Sequence, residues 1–446
     1  MSNLTLLLLV VAVVAGGVLI ARRRFPALFW VLVGLPVALV RFHLTYAATM
    51  EVCGLTVTPS RARAFFVRTV ARREVRPVPP KVKRVRCCST GLRVRLRLPA
   101  GLEPADVAAA SVRLRHAWGV HAVHVAEVKP GVVELRMTGY DVLRSVRMPR
   151  QGLPTDALVV PVALREDGTA FVRDYRAIPH ALTLGANQSG KSMYLRNLIT
   201  ALARRPVALV GIDCKRGVEQ RRFSPRLSAL ATTPDEASGL LDALVGVMED
   251  RFDLLSDRGV SDLWDLPEDD RPVPVVVLVD EVAELFLVAT KKDEARRDEM
   301  VTALVRLAQM ARAVGIYLEV CGQRFGSELG RGATLLRAQL TGRVVHRVND
   351  KQTAEMGLGD IAPEAIPVAT TIPPDRPGLA VAGDASGTWS RIRTVEIAPD
   401  DAAAVCRACA HLTPDLAALA PWRPAAPAVP DVVERPSLIK PAPVTD

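Results

Sequence analysis

Lysine is scarce in this sequence: 9 of its 58 basic residues are lysine and the rest are arginine. Codon usage in a GC-rich genome produces the same bias, so the formal charge of +11 says little by itself about partners. Cysteine is sparse too. Seven cysteines in 446 residues do not make a disulfide framework, which argues against a stapled secreted fold and for a reducing compartment. Cys406 and Cys409 form a lone C-x-x-C with His411 nearby. A zinc site needs four ligands, and no second pair follows at ligand spacing; Cys87 and Cys88 lie in another segment. Two local absences say more. Residues 4–21 carry no charge, and residues 61–97 contain one acid, Glu74, against 13 lysines and arginines, a local charge of +12.

The uncharged run has one mild interruption, Thr5, and as a helix would extend about 27 Å, close to a bilayer core. Met1-Ser2-Asn3 lacks the basic start of a cleaved signal peptide, and no small-residue cleavage site precedes a globular start. The run therefore reads as a membrane anchor. A second apolar stretch, residues 25–40, follows Arg22-Arg23-Arg24; it is short and carries Pro36, while Phe29 and Trp30 suit an interface. A two-helix hairpin is the favoured topology, and a single span with the second stretch in the interface is the other. Both place everything after about residue 60 in the cytoplasm, at the plasma membrane. The basic run reads as a footprint for lipid headgroups or a nucleic-acid backbone, with a solvated linker as the bland alternative.

One phosphate loop occurs in the chain. Gly185-Ala186-Asn187-Gln188-Ser189-Gly190-Lys191-Ser192 fits G-x-x-x-x-G-K-[ST], whose glycines let backbone N–H groups curl around phosphates. Residues 181–184 read as the strand before it and residues 193–202 as the helix after it, the order this chemistry needs. Lys191 is expected to reach the β- and γ-phosphates of ATP, and the Ser192 hydroxyl to hold Mg²⁺. Residues 275–279 are continuously apolar, as a strand buried on both faces should be, and end in Asp280-Glu281. Asp280 is the second expected Mg²⁺ ligand and Glu281 the general base for the attacking water. Gln323, at the tip of the following strand, is placed to sense the γ-phosphate. Arg312 and Arg324 are candidates for an arginine supplied in trans, with a surface salt bridge as the alternative for each.

Alternating strands and helices from about residue 157 predict an α/β domain with a parallel sheet and crossover connections. Upstream, a strand over residues 92–98, a helix over 103–116, and strands over 122–127 and 132–137 predict a small β-α-β-β unit. His116, His121 and His124 within it read as surface or packing residues. The expected organisation is a membrane anchor (1–45), a basic linker (46–85), a small α+β domain (86–150), an ATPase motor (151–398) and an Ala/Pro-rich, partly disordered tail (399–446).

Taken in order, the motifs resemble the FtsK/SpoIIIE family of DNA translocases. Pro179-His180 resembles that family's lead-in to its phosphate loop. Ile212-Asp213-Cys214-Lys215 is similar to its Ile-Asp-Pro-Lys element, with Cys214 in place of proline. The strand ending in Asp280-Glu281 matches its acidic motif, and Gln309-Met310-Ala311-Arg312-Ala313-Val314-Gly315-Ile316 its Gln-Met-x-Arg-Ala-x-Gly-Ile. Gln323-Arg324, Gly357-Leu358-Gly359-Asp360 and the small unit ending at Pro130-Gly131-Val132-Val133-Glu134-Leu135 fall where the family has similar elements. The resemblance implies a RecA-like P-loop ATPase that assembles as a hexamer and pumps double-stranded DNA. Two departures stand out: residues after 399 are too few and too rich in Pro and Ala for a winged helix, and at most two spans are present. What remains resembles transfer proteins of actinomycete conjugative elements, with other conjugation proteins as possible partners. An ATPase for protein secretion and an ATPase scaffold for membrane assembly stay open as alternatives.

Overall fold

The fold is known from a computed structural model, which describes residues 16–17, 24–58, 77–149 and 156–425. The first apolar run, residues 4–21, lies almost wholly outside the described residues, as do residues 61–76 of the basic run. The second apolar stretch is longer than its sequence suggests. Helix α1, Pro26–Val52, is 27 residues of high hydropathy, long and apolar enough to cross a membrane. It loosens into a π-helical turn at Trp30–Gly34, just ahead of Pro36. Trp30, Ala38, Phe42 and Met50 recur at multiples of four residues and are buried, so they form one stripe. That stripe packs on the small domain: Trp30 lies over Gly139, and the Phe42 ring meets Trp118 edge-on at 5.0 Å. Tyr46 Oη donates to the Pro80 carbonyl at 2.6 Å.

The small domain is a four-stranded antiparallel sheet in the order β1-β2-β4-β3, made of β1 (Lys81–Cys88), β2 (Gly91–Arg97), β3 (Ala122–Lys129) and β4 (Val132–Thr138). Helices α2 (Pro104–Ala109) and α3 (Ser111–Trp118) sit between β2 and β3 where one helix is expected. The segment read as a basic linker thus contributes the end of α1 and the first five residues of β1, Lys81–Val85. Apolar periodicity could not reveal β1, because most of its side chains are exposed and the strand is held through its backbone pairing with β2.

The motor is built on a ten-stranded sheet in the order β6-β5-β14-β13-β12-β7-β11-β10-β8-β9. Six strands are parallel: β7 (His180–Leu184), β8 (Ala208–Ile212), β9 (Ala229–Ala231), β10 (Val275–Val279), β11 (Ile316–Gly322) and β12 (Gly342–His346). Every residue of these six is buried, and β8, β9 and β10 are accordingly apolar throughout. The other four, β5 (Val159–Arg165), β6 (Ala170–Asp174), β13 (Leu379–Gly383) and β14 (Trp389–Thr394), are antiparallel, so the sheet is mixed rather than parallel throughout. The pairing of β14 with β5 joins segments far apart in sequence and has no local signature.

Helices cover both faces. One carries α4 (Lys191–Leu202); the other carries α5 (Pro234–Asp257) and α6 (Lys291–Met310). Capping boxes start two of them: Thr233 with Glu236 opens α5, and Thr290 with Asp293 opens α6. The start of the Ala/Pro-rich tail belongs to the motor. Helix α7, Pro399–Ala408, buries Ala402, Ala403 and Cys406, and Leu419 is buried further on. Small side chains are what let this segment close on the core. Residues 426–446 lie outside the described residues.

Candidate nucleotide site

Strand β7 lies between β11 and β12, so the loop after it leaves the middle of the sheet at the carboxyl edge, where β10 and β11 also end. The Gly185 N–H donates to the Gly322 carbonyl at 3.2 Å and the Ala186 N–H to the Arg347 carbonyl at 2.9 Å, which tie the loop to both neighbours. Gly190 has φ of 106°, and a Cβ there would meet the Gly378 nitrogen at 2.2 Å, so only glycine fits. Gln188 also takes a left-handed conformation, with φ of 58°. Helix α4 begins at Lys191 with no side-chain cap, leaving its first-turn N–H groups for an anion.

The charged groups converge at this edge. Lys191 Nζ is 3.1 Å from Glu281 Oε2, and Lys215 Nζ is 3.4 Å from the same oxygen. Glu281 Oε1 accepts from the backbone N–H of Gln323 at 3.2 Å. The carboxylate is thus fixed from three sides. Asp280 differs. Burial, with Asp213 nearby, pushes its carboxyl up to about 6 despite Lys191 and Lys215, and its Oδ1 is buried with no donor among the described residues. A buried carboxylate oxygen without a partner is what a divalent cation would satisfy. With the Ser192 hydroxyl in the first turn of α4, it makes a donor set suited to Mg²⁺. Asp213 is spent locally, accepting from the backbone N–H groups of Lys215, Glu219 and Gln220.

The fold therefore brings Lys191, Asp280, Glu281 and the Gln323 backbone together, with Ser189 and Ser192 in the loop. Arg324 lies at the same edge, its Nη2 3.0 Å from Gln352 Oε1. Arg312 is elsewhere. It lines a cleft of about 490 Å³ with Trp264 and Tyr317, at the start of β11. Five residues of extended chain from Tyr317 to Gly322 put it roughly 17 Å from the loop edge.

Two residues near the loop escaped sequence reading. Lys215 is visible only as part of a motif. Arg347 has no local signal: its carbonyl anchors Ala186, and its Nη2 donates to the Asn187 carbonyl at 3.0 Å. Beneath the loop, His346 is buried and held neutral, its ring pushed down to about 4 by desolvation; His180 is pushed down to about 3 by the same cause.

With this geometry in hand, comparison with known proteins is decisive. Residues 16–139 match the N-terminal domain of actinomycete conjugal transfer proteins, and residues 146–269 and 264–327 match the FtsK/SpoIIIE family. The chain is 54% identical over 416 residues to transfer protein TraSA of Streptomyces ambofaciens, covering 91% of this chain and 100% of that one. The chain belongs to the actinomycete conjugal transfer protein family. Its motor is a P-loop ATPase of the FtsK/SpoIIIE type. Another member of this sequence neighbourhood, from Streptomyces azureus, is named sporulation regulatory protein; it is 70% identical over 272 residues, 61% of this chain and 89% of that one. Bacterial DNA translocases named FtsK match less of the family member described here; that of Oceanobacillus iheyensis is 33% identical over 44% of this chain and 26% of its own length. The conjugation coupling protein TcpA of pCW3, in its monomer form with ATPγS, shares the fold: TM-score 0.53 at 17% identity, over 80% of this chain and 95% of that one.

Proposed function

We propose that this protein is a membrane-anchored, ATP-hydrolysing translocase that moves double-stranded DNA between cells during conjugation. The observation that carries the reading is the Lys191–Glu281–Asp280 cluster beside an intact phosphate loop, in a chain of the conjugal transfer family. Lys191 and the first-turn N–H groups of α4 bind the β- and γ-phosphates of ATP. Mg²⁺ held by Ser192 and Asp280 would supply charge neutralisation to those phosphates. Glu281 accepts the proton of the attacking water once Lys191 turns from it to the phosphate. Gln323 reports the γ-phosphate through the same strand tip. Arg312 lies in a cleft apart from its own loop, a place for an arginine that serves a neighbour's nucleotide in a hexameric ring; Arg324 is the second candidate for that role. Partners are duplex DNA, the membrane and other conjugation proteins.

The protein is held at the plasma membrane with its motor in the cytoplasm. Residues 4–21 are the anchor. Helix α1 lies along the small domain for some 20 residues, about 30 Å, so spanning the bilayer would drag charged strands into lipid. It is better suited to the interface, its outer residues Leu28, Leu32 and Leu44 exposed. The test is steady-state ATPase activity of the full chain in nanodiscs with no DNA, single-stranded DNA or linear duplex. Strong stimulation by duplex is expected; activity indifferent to nucleic acid would reject the translocase.

A further inference from the structure

Between α1 and the small domain runs a groove of about 880 Å³. Its wall on α1 is apolar, made by Phe29, Trp30, Val33 and Val37. Val33 and Val37 are themselves about half exposed, so this wall is continuous with the outer apolar face of the helix. Three arginines stand among the rest of the lining. Arg41, Arg115 and Arg144 all border the groove, and among the described residues none has a carboxylate within ion-pair distance. Asp141, the one acid in the lining, is already engaged by Arg376 at 2.7 Å. Arg115 instead shares a hydrogen bond with the His116 ring at 3.2 Å, a contact with no compensating negative charge. Trp30 and Trp118 also border the groove, each at least nine-tenths buried, their indole nitrogens closed off from solvent and without an acceptor among the described residues.

Arginines without a carboxylate partner, beside an apolar wall that leads to an exposed apolar helix face, suit one kind of ligand. It must carry a phosphate and long apolar chains. We propose that the groove holds an anionic phospholipid, its acyl chains along Phe29, Val33 and Val37 and its phosphate on Arg41, Arg115 and Arg144. A soluble phosphate would satisfy the arginines but leave the α1 wall wet. The assignment rests on the membrane reading above and adds a lipid class to it.

The test uses the full chain with vesicles of mixed phosphatidylcholine and phosphatidylglycerol, in which either lipid carries brominated acyl chains. Tryptophan quenching compares the two brominations at fixed composition, so tryptophans distant from lipid cancel. Brominated phosphatidylglycerol is expected to quench several-fold more strongly, and Arg41→Gln with Arg115→Gln to equalise the two while the protein still floats with vesicles. Equal quenching in the unaltered protein, or a preference that survives the double substitution, would overturn the proposal. A preference erased by millimolar glycerol phosphate would assign the site to a soluble phosphate instead. Failure to float with vesicles of either composition would reject the membrane reading and the lipid site with it.

Discussion

Around the phosphate loop, cations are satisfied by their own chain: Lys191 and Lys215 converge on Glu281, and Arg347 reaches the carbonyl of Asn187. In the groove beneath α1, Arg41, Arg115 and Arg144 have no carboxylate partner among the described residues. The first arrangement is a preassembled site. Its lysines are held in place by a carboxylate that must release one of them when phosphate arrives, so binding exchanges one charge pair for another at small reorganisation cost. The second leaves positive charge beside an apolar surface, with Arg41 and Arg144 exposed to solvent and no carboxylate of the described residues against them. Catalytic charge is balanced internally; docking charge waits for its partner.

Removing the central cation of the balanced site should have the largest effect. Lys191→Ala is expected to lower ATP turnover at least about 10³-fold, because it deletes a phosphate contact and frees Glu281 from its nearest partner. Turnover near the unaltered rate would show that the loop is not the hydrolytic site. Glu281→Gln comes next. It keeps the shape and both lysines but cannot take a proton, so turnover should fall about 10²-fold while ATP binding, read by filter retention, persists. Normal hydrolysis would move the base elsewhere.

The smallest expected effect is on stability. His180 and His346 are held neutral in the folded motor, at about 3 and about 4, against an ordinary 6.5. Below pH 6.5 the unfolded chain takes up protons that the folded chain refuses, so stability falls with pH until the folded values are reached. At pH 5 the loss should be about 2 kcal/mol for each histidine. A pH series of thermal unfolding reads it directly, and His346→Asn should flatten the slope. A midpoint unchanged between pH 7 and 5 would contradict the buried, neutral assignment.

What is legible in the sequence follows the range of the interactions. The phosphate loop is legible because its glycines and lysine act within eight residues, and the strand ending in Asp280-Glu281 because burial on both faces leaves an unbroken apolar run. Lys215 and Arg347 are not, since each reaches the site only after distant strands align beside β7. The antiparallel half of the sheet is hidden for the same reason: β14 finds β5 across the whole motor. Strand β1 hides differently, its arginines exposed and its hydrogen bonds carried by backbone. Helix α1 reads as an isolated apolar stretch because hydropathy does not distinguish a residue facing lipid from Phe42 facing Trp118.

On the proposed function, ATP turnover moves the protein along duplex DNA. Displacement of a third strand from a linear duplex, with the full chain, ATP and Mg²⁺, measures that movement most directly. The account predicts ATP-dependent displacement by the unaltered protein and none by Glu281→Gln. Duplex-stimulated hydrolysis with no displaced strand would contradict it.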